Sequence, residues 1–271
     1  MKTLGQLKIG FIGSGKMATA LALGLVKSGI IKTDSIVASD VIAQARDSFA
    51  QKTGAHVLDN NIALVNKTDV IILAVKPNSV SSVLREIHQA LEGKLLISIA
   101  AGINLKTLIE STPHSARIIR AMPNTAVLVS AGATAFTCGP NVSEEDKSIA
   151  SAIFSSVGLA VSVQENLLNA VTGLSGSGPS YAFLIIEAMS DGGVACGLPR
   201  NLATQLAAQT LLGSARMVLE LGLHPGELKD MVTSPGGTSI EGIHQLEING
   251  VRGAIISAIR AATNKAKTLS S

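Results

Sequence analysis

The chain has 271 residues, of which 46% are hydrophobic and 15% charged, with a formal net charge of +3. A chain of this length forms one large domain or two modest ones, and this composition allows a large buried core. The basic residues form no cluster, Trp is absent and there is one Tyr, so the features of a nucleic-acid binder are missing. We therefore expect no nucleic-acid partner.

The N-terminus and the cysteines bear on the cellular compartment. Met1–Gly5 lead almost directly into a strand-like run, which leaves no room for a signal peptide or an Arg-rich transit segment. Cys138 and Cys196 lack the spacing of a metal site or a disulfide framework. The longest apolar runs, such as Val70–Val75, are too short to cross a bilayer. The sequence therefore predicts a cytoplasmic protein with no membrane partner.

Residues 1–163 alternate between short apolar runs and amphipathic stretches. Such runs are typical of buried parallel strands, and the alternation indicates a doubly wound parallel sheet, an α/β fold. The predicted strands are Leu7–Ile12, Ser35–Ser39, Val70–Ala74, Leu95–Ile99, Arg117–Ala121, Gly132–Thr137 and Leu159–Val163. The predicted helices are Lys16–Lys27, Ala43–Lys52, Val80–Leu91, Leu105–Glu110 and one that begins after Ser143.

Helical patterns replace strands over residues 164–271. The predicted helices are Leu167–Thr172, Tyr181–Cys196, Leu202–Leu221, Gly226–Val232, Ile240–Ile248 and Val251–Lys267. Several of them carry Ala, Leu and Ile on more than one face, which a monomer of this size cannot cover. We therefore predict a second, all-α domain that buries part of its surface against another copy of the chain.

The turn Gly13-Ser14-Gly15 is the best local signal for a ligand. It follows an apolar strand and opens a helix, with the small residue Ala18 three positions later. This is the pattern of a dinucleotide-binding turn, in which the pyrophosphate meets the free N–H groups of the helix N-terminus. The turn therefore predicts a Rossmann-type domain that binds a nicotinamide dinucleotide.

Asp40 stands at the end of the second predicted strand. An acidic residue at this place usually accepts hydrogen bonds from the adenosine ribose, and its charge would repel a 2′-phosphate, which favours NADH. A second interpretation is that Asp40 only caps the following helix. The sequence leaves both interpretations open.

Two further strand ends are expected to line the cofactor cleft, because ligands lie beyond the carboxyl ends of the strands in such sheets. One is Ala74–Asn78 and the other is Ser98–Gly102. Lys76 is interpreted as a loop residue of this cleft, with a catalytic lysine as the alternative.

The stretch Ser234-Pro235-Gly236-Gly237-Thr238-Ser239 is too rich in glycine for an ordinary connection between helices. Pro-Gly-Gly forms a turn and Thr-Ser opens a helix, so backbone N–H groups and two hydroxyls converge at a helix N-terminus. The loop suits a small anion such as a carboxylate, and the alternative is a plain helix cap.

These motifs together resemble the pyrroline-5-carboxylate reductase family. The resembling stretches are FIGSGKMA, AVKP, AAGI, the RAMPNT segment at Arg120–Thr125, TGLSGSGPSYAF, DGGVACGLPR and LKDMVTSPGGTSIEGIHQLE, which span essentially the whole chain. The resemblance implies reduction of L-1-pyrroline-5-carboxylate to L-proline with NADPH or NADH, the last step of proline biosynthesis. It also implies a homodimer formed by the helical domain, often assembled into a decamer, a pentamer of dimers.

The resemblance carries roles to individual positions. It implies cofactor contacts at Ile12, Gly13, Ser14, Gly15, Lys16, Met17, Asp40, Asn61, Ala74, Val75, Lys76, Pro77, Ala100, Ala101 and Asn124. It implies substrate contacts at Glu165, Ser234, Gly236, Gly237, Thr238 and Ser239, with Ser239 as the candidate proton donor.

Three positions depart from the family pattern. Ser239 stands where Thr is usual, so the hydroxyl is kept. Asp40 replaces a neutral or phosphate-compatible residue, which puts NADPH preference in doubt. Met231 replaces an Asn that contacts the cofactor in some members.

Three other functions fit the sequence less well. A β-hydroxyacid dehydrogenase would need a Lys and an Asn where this chain has Ala182 and Ile185. A non-catalytic dinucleotide sensor would not need the glycine-rich loop of the helical domain. A metal enzyme is disfavoured because His56, His88, His114, His224 and His244 lack ligand spacing, so no metal is predicted.

Overall fold

The computed structural model describes residues 4–270, and in them eight strands form one sheet. The strands are β1 (Ile9–Ile12), β2 (Ile36–Ser39), β3 (His56–Leu58), β4 (Val70–Leu73), β5 (Leu95–Ser98), β6 (Arg117–Met122), β7 (Gly132–Cys138) and β8 (Gly158–Ser162). The helices are α1 (Lys16–Lys27), α2 (Ala43–Thr53), α3 (Asn61–Lys67), α4 (Pro77–Ile87), α5 (Leu105–Glu110), α6 (Glu144–Ser155), α7 (Leu168–Val171), α8 (Gly178–Ala195), α9 (Arg200–Leu221), α10 (Pro225–Met231), α11 (Thr238–Ile248) and α12 (Val251–Ser270).

The sheet has the strand order β3-β2-β1-β4-β5-β6-β7-β8. β1 pairs in parallel with both β2 and β4, because the chain first extends the sheet to one side and then returns to extend the other. The helices that follow β1 and β4 therefore lie on opposite faces, which leaves a crevice at the carboxyl ends of these two strands. This crevice is the expected place for a ligand.

The last two strands form the mixed edge of the sheet. β7 runs antiparallel to β6, whereas β8 runs parallel to β7. The apolar runs alone carry no information on direction. The connection between β6 and β7, residues 123–131, is too short for the crossover of about a dozen residues that two parallel neighbours require.

Each face of the sheet is covered by its own apolar core. The strand side chains Ile9 and Phe11 point to the face covered by α1, α2 and α6, where Phe11 lies against Phe49. Ile71 and Leu73 point to the face covered by α3, α4 and α5. This alternation of side chains within a doubly covered sheet confirms the predicted α/β fold class.

The chain divides into two compact units. The first, the sheet unit, runs up to Gly176 and includes the end of α12 from Ala262. The second, the helical unit, is Ser177–Ala261. All the described secondary-structure elements of the second unit are helices, as the sequence predicts. Residues 164–176 belong to the sheet unit. The boundary between the two units therefore lies after Gly176, whereas the sequence places the domain boundary between residues 163 and 164.

β3 and α3 are not among the elements predicted from the sequence. β3 is three residues long and its side chains are partly or fully exposed, so it has no apolar run to reveal it. α3 is seven residues long and begins after Asn60, whose side chain accepts the N–H of Ala63. Helix α3 packs closely on β1 because Gly10 has no side chain: a Cβ there would lie 2.4 Å from Leu64.

Candidate active site

Gly13 forms the tight part of the turn between β1 and α1. Its φ is +94°, in the region that favours glycine. A Cβ at this position would lie 2.8 Å from the backbone of Ala74, which follows the neighbouring strand β4. The Gly13 N–H donates to the Ser39 carbonyl oxygen at 2.8 Å. The turn therefore packs directly on the ends of β2 and β4, with no room for a side chain.

Gly15 faces open space. It is the N-cap residue of α1, no side chain caps this helix, and a Cβ at Gly15 would meet nothing within 4 Å. The first N–H groups of α1 are thus open to a ligand at the positive end of the helix dipole. Lys16 and Met17 open the helix itself. The turn fits a dinucleotide pyrophosphate, since an anion can approach where a Cβ would otherwise stand.

Asp40 ties the end of β2 to the turn. Its Oδ2 accepts the backbone N–H of Ser14 at 2.9 Å and the Ser14 hydroxyl at 3.3 Å. Its Oδ1 accepts the N–H of Ile42, the residue before α2, at 3.0 Å. Asp40 therefore bonds the N-cap residue Ile42 but no N–H group within α2 itself, and it also holds the Ser14 turn through a long-range bond that no local sequence pattern indicates.

Asn61 lies at the start of α3, where it is nearly buried. Its Oδ1 accepts the Ser39 hydroxyl at 2.7 Å, and its Nδ2 donates to Glu86 Oε2 at 2.9 Å. These two bonds fix which end of the carboxamide faces which neighbour. Glu86, on α4, was missed from the sequence because nothing in the pattern of an amphipathic helix singles it out.

The remaining predicted cofactor residues on strand ends lie at the same edge of the sheet. Ala74 follows β4, and its N–H donates to the Ile12 carbonyl oxygen at 2.8 Å. After Val75, Lys76 is the exposed N-cap residue of α4, and Pro77 fills the first helical position. Ala100 and Ala101 follow β5, the first buried and the second exposed.

Asn124 lies after β6, and its carboxamide forms three hydrogen bonds within the protein. Its Oδ1 accepts the N–H groups of Ala126 and Ala133, each at 3.2 Å, and its Nδ2 donates to the Ser175 carbonyl oxygen at 3.0 Å. These bonds hold the connection between β6 and β7 to the π-helical turn Thr172–Gly176. The cofactor contact of Asn124 stays a prediction.

Glu165 lies just after β8 and is held by the sheet unit. Its Oε1 accepts the N–H of Leu105 at 2.6 Å and a guanidinium N–H of Arg120 at 3.0 Å. Arg120 is 6% exposed, so this ion pair is shielded on the arginine side. Both bonds go to one oxygen, which leaves Oε2 able to accept a hydrogen bond from a ligand.

The glycine-rich loop of the helical unit ends at α11. Gly236 has φ +65°, and the Gly237 N–H donates to the Ser234 carbonyl oxygen at 3.1 Å. Gly237 is the N-cap of α11, and no side chain caps the helix. Among the described residues, the hydroxyls of Thr238 and Ser239 make no hydrogen bond. The loop thus presents free N–H groups and two free hydroxyls at one helix N-terminus.

The histidines and cysteines lie outside this machinery. Over residues 4–270, no group of three or more His, Cys, Asp or Glu side chains is placed to hold a metal ion. His224 caps α10 by accepting the Gly226 N–H at 3.1 Å, so this histidine has a structural role at a helix boundary. Burial raises the pKa of the Cys138 thiol, so the thiol is a poor nucleophile near neutral pH. In the same described part of the chain, no helix is long and apolar enough to cross a membrane.

Two family models match the chain. Residues 8–102 match a model described as NADP oxidoreductase coenzyme F420-dependent. Residues 165–269 match the model for pyrroline-5-carboxylate reductase dimerisation. The first match contains the turn and the strand ends up to Ala101, and the second contains Glu165 and the glycine-rich loop.

Known proteins resemble the chain along its whole length. A pyrroline-5-carboxylate reductase of Methanosarcina acetivorans is 49% identical over 263 residues, 97% of each chain. The solved structure of the enzyme from Coxiella burnetii superimposes with a TM-score of 0.92 at 37% identity, over 98% of this chain and 99% of that one. The Plasmodium falciparum enzyme with NADP bound gives a TM-score of 0.89 at 35% identity, over 99% and 100% of the two chains. The family predicted from the motifs is confirmed: this chain belongs to the pyrroline-5-carboxylate reductase family.

Proposed function

We propose that this chain reduces the C=N bond of L-1-pyrroline-5-carboxylate to L-proline with a hydride from NADH or NADPH. Its family membership supports both the enzyme class, an NAD(P)H-dependent reductase, and the substrate. The observation that carries the assignment of roles is the uncapped N-terminus of α11, with Thr238 and Ser239 free of hydrogen bonds within the described chain.

The cofactor is held at the carboxyl edge of the sheet. The uncapped N-terminus of α1 binds the pyrophosphate, and Gly15 leaves the approach open. The strand ends at Ala74–Pro77 and Ala100–Ala101, together with Asn61, line the rest of the dinucleotide. When bound, the reduced nicotinamide supplies the hydride that the imine carbon accepts.

The substrate carboxylate is held by the glycine-rich loop. N–H groups at the start of α11 and the Thr238 hydroxyl donate to its oxygens, and the positive end of the helix dipole favours its charge. The conformation is set in advance, because Gly236 adopts a positive φ and the Ser234–Gly237 bond closes the turn. The loop therefore binds the carboxylate without first having to become ordered.

Ser239 forms a hydrogen bond with the imine nitrogen of the substrate. When hydride adds to carbon, the C=N π electrons move to nitrogen, which must carry or receive one proton to become the secondary amine of proline. The Ser239 hydroxyl donates a hydrogen bond to this nitrogen or orients its N–H. Positioning and orientation then supply most of the rate acceleration.

Replacing Ser239 tests this assignment. We expect Ser239→Ala to lower kcat/KM for pyrroline-5-carboxylate by about 10- to 100-fold, the usual effect of losing a hydrogen bond to a charged or developing centre. The dissociation constant of the cofactor should stay within about twofold. Ser239→Thr is the matched control, since it keeps the hydroxyl and should retain most of the activity. Unchanged turnover in Ser239→Ala would contradict the assignment.

The proposal also includes the oligomeric state and the cellular compartment of the enzyme. The helical domain, taken from residue 164 onward, forms the homodimer, and five dimers assemble into a decamer. The match of residues 165–269 to a dimerisation model supports the first of these steps. The enzyme acts in the cytoplasm at the last step of proline biosynthesis, which fits its two free cysteines. Light scattering on the purified chain distinguishes dimer from decamer by mass.

A further inference from the structure

We propose that Glu86 is a positioning residue for the cofactor, because it fixes the carboxamide of Asn61 in the orientation that presents an N–H group to the dinucleotide. The inference rests on the proposed function, in which Asn61 lines the cofactor cleft. It deepens that function by naming the residue that decides how Asn61 faces the cofactor. Glu86 lies on α4 and has no other part in the proposed reaction.

Asn61 joins the end of β2 to helix α4. It is 9% exposed. Its Oδ1 accepts the Ser39 hydroxyl at 2.7 Å, and its Nδ2 donates to Glu86 Oε2 at 2.9 Å. Ser39 is the last residue of β2 and is fully buried, and its carbonyl oxygen accepts the Gly13 N–H at 2.8 Å. The carboxamide is therefore connected through Ser39 to the turn between β1 and α1, where the pyrophosphate is proposed to bind.

A carboxamide fits this place in two ways, because a half-turn exchanges its oxygen and its NH2 group with almost no change of shape. Ser39 does not choose between them, since a hydroxyl donates to an oxygen as readily as it accepts from an N–H. An ionised carboxylate only accepts hydrogen bonds, so Glu86 bonds the NH2 group and repels the oxygen. Glu86 rather than Ser39 therefore sets the orientation of Asn61.

This orientation suits a dinucleotide. With one Nδ2 hydrogen bonded to Glu86 and Oδ1 bonded to Ser39, the second Nδ2 hydrogen is left for a ligand. The ribose and pyrophosphate oxygens of NADH and NADPH are acceptors for such a donor. The opposite orientation would present a carbonyl oxygen to an anionic cofactor. Molecules with the carboxamide in that orientation bind poorly, and the apparent affinity falls with the fraction of them.

Glu86→Lys tests the inference, because a lysine only donates and would bond Oδ1 of the reversed carboxamide. We expect the dissociation constants of NADH and NADPH each to rise by about 10-fold or more, with their ratio unchanged. Charge alone has the opposite effect, since a cation in place of an anion attracts the anionic dinucleotide. Calorimetric titrations of the full-length protein measure both constants, and thermal melting checks the fold. Equal or tighter binding of both cofactors would overturn the inference.

Glu86→Gln and Glu86→Met separate the orientation of Asn61 from simple support of the helices α3 and α4. Gln keeps a hydrogen-bond partner, but one that can both donate and accept, and Met keeps none. If orientation decides the affinity, both variants leave the carboxamide in a mixture of its two orientations. Binding then weakens by about two- to threefold, less than in Glu86→Lys. If Glu86 only ties α3 to α4, Gln binds like the unmodified protein and Lys is no worse than Met, and either result would overturn the inference.

Asn61→Ala shows whether Glu86 acts through Asn61. In this background Glu86→Lys should weaken cofactor binding no further, because the carboxamide that it would reverse is gone. Continued weakening would show that Glu86 acts elsewhere and would overturn the inference.

Glu92→Lys is the matched control for charge. Glu92 is exposed and follows the short turn Gln89–Leu91 after α4, so it undergoes the same change of charge without a bond to Asn61. We expect the dissociation constants to change by less than about twofold. A loss as large as in Glu86→Lys would show that the effect is not specific to the carboxamide, and the inference would fail. Absence of reductase activity in the unmodified protein would contradict the proposed function, whereas the cofactor affinities test the inference by themselves.

Discussion

The sheet unit and the helical unit bury their apolar side chains to very different extents. In the sheet unit, every residue of β1, β2, β4 and β5 is buried. In the helical unit, the 18-residue helix α8 buries only Ser190, and α11 has no buried residue. Phe183 and Leu184 on α8 are each 66% exposed. The sheet unit therefore contains its own core, whereas the helical unit leaves large apolar side chains exposed, as expected of a domain that buries them in an oligomer.

Placing acidic residues on the apolar face of α8 is the strongest test of this difference in burial between the two units. We expect the double variant Phe183→Asp with Leu184→Asp to be monomeric and inactive. Each large apolar side chain contributes about 1.5–3 kcal/mol when it is buried, and a symmetric dimer contains each of them twice. Light scattering after size-exclusion chromatography measures the mass, and initial rates measure the activity.

Val129→Asp is the control for this experiment in the sheet unit. Val129 is 75% exposed, so its replacement places one such carboxylate on the self-contained unit. We expect the mass of this variant to equal that of the unmodified protein. A dimer of normal mass for the α8 double variant would show that this face of α8 lies outside the interface, and would weaken the comparison between the two units.

Within the sheet unit, alanine variants of two glycines in the same turn should differ in which property they lose, cofactor affinity alone or cofactor affinity and stability. Gly15→Ala meets no atom within 4 Å and has φ −72°, which Ala adopts freely, so the variant should fold normally. Its methyl group would occupy the approach of the pyrophosphate, and we expect the affinity for NADH to fall by about 100-fold or more. Gly13→Ala should lose cofactor binding as well, and also about 2–5 kcal/mol of stability, from its positive φ and its 2.8 Å approach to Ala74.

Thermal melting and calorimetric titration separate these two outcomes. Gly29→Ala serves as the control, because Gly29 also has a positive φ, +71°, but its Cβ would lie in open space. It should lose about 1 kcal/mol of stability through backbone strain and keep its affinity for the cofactor. Normal NADH binding by Gly15→Ala would contradict the role given to the turn.

Much of the sheet unit could be predicted because its signals are local. An apolar run such as Val70–Leu73 is buried on both faces, so its composition alone reveals the strand. The turn at Gly13 was equally readable, because glycine is required there by the close approach of Ala74. Short elements with exposed side chains, such as β3 and α3, offer neither signal and were missed.

The candidate site could be predicted only in part, because several of its hydrogen bonds join residues that are far apart in the chain. The Ser14–Asp40 bond spans 26 positions, the Arg120–Glu165 pair 45 and the Asn61–Glu86 bond 25. No pattern within a single helix or strand indicates such pairs. The position of Asp40 at the end of a strand was thus predictable, whereas the bond from the Ser14 N–H that holds its carboxylate was not.

An ion pair at the opposite edge of the sheet, buried on the aspartate side, tests whether stability and cofactor binding can be separated. Arg117 is the first residue of β6, so it lies at the amino ends of the parallel strands, away from the turn. It donates to Asp146 Oδ1 at 2.5 Å, and Asp146, which is 1% exposed, also accepts the N–H and the hydroxyl of Ser143 through Oδ2. Asp146→Asn breaks the ion pair and leaves the guanidinium facing an amide.

We expect Asp146→Asn to lower the free energy of unfolding by about 2–4 kcal/mol, because it leaves a partly buried arginine without its charged partner. The dissociation constants of NADH and NADPH should not change, since the carboxyl edge of the sheet is untouched. Glu144→Gln is the matched control in the same helical turn: its side chain is 91% exposed and lies 3.8 Å from Lys147, so its loss should change stability by less than about 0.5 kcal/mol. Weakened cofactor binding by folded Asp146→Asn would show that the two edges of the sheet are coupled. The sheet unit would then be less self-contained than its burial indicates.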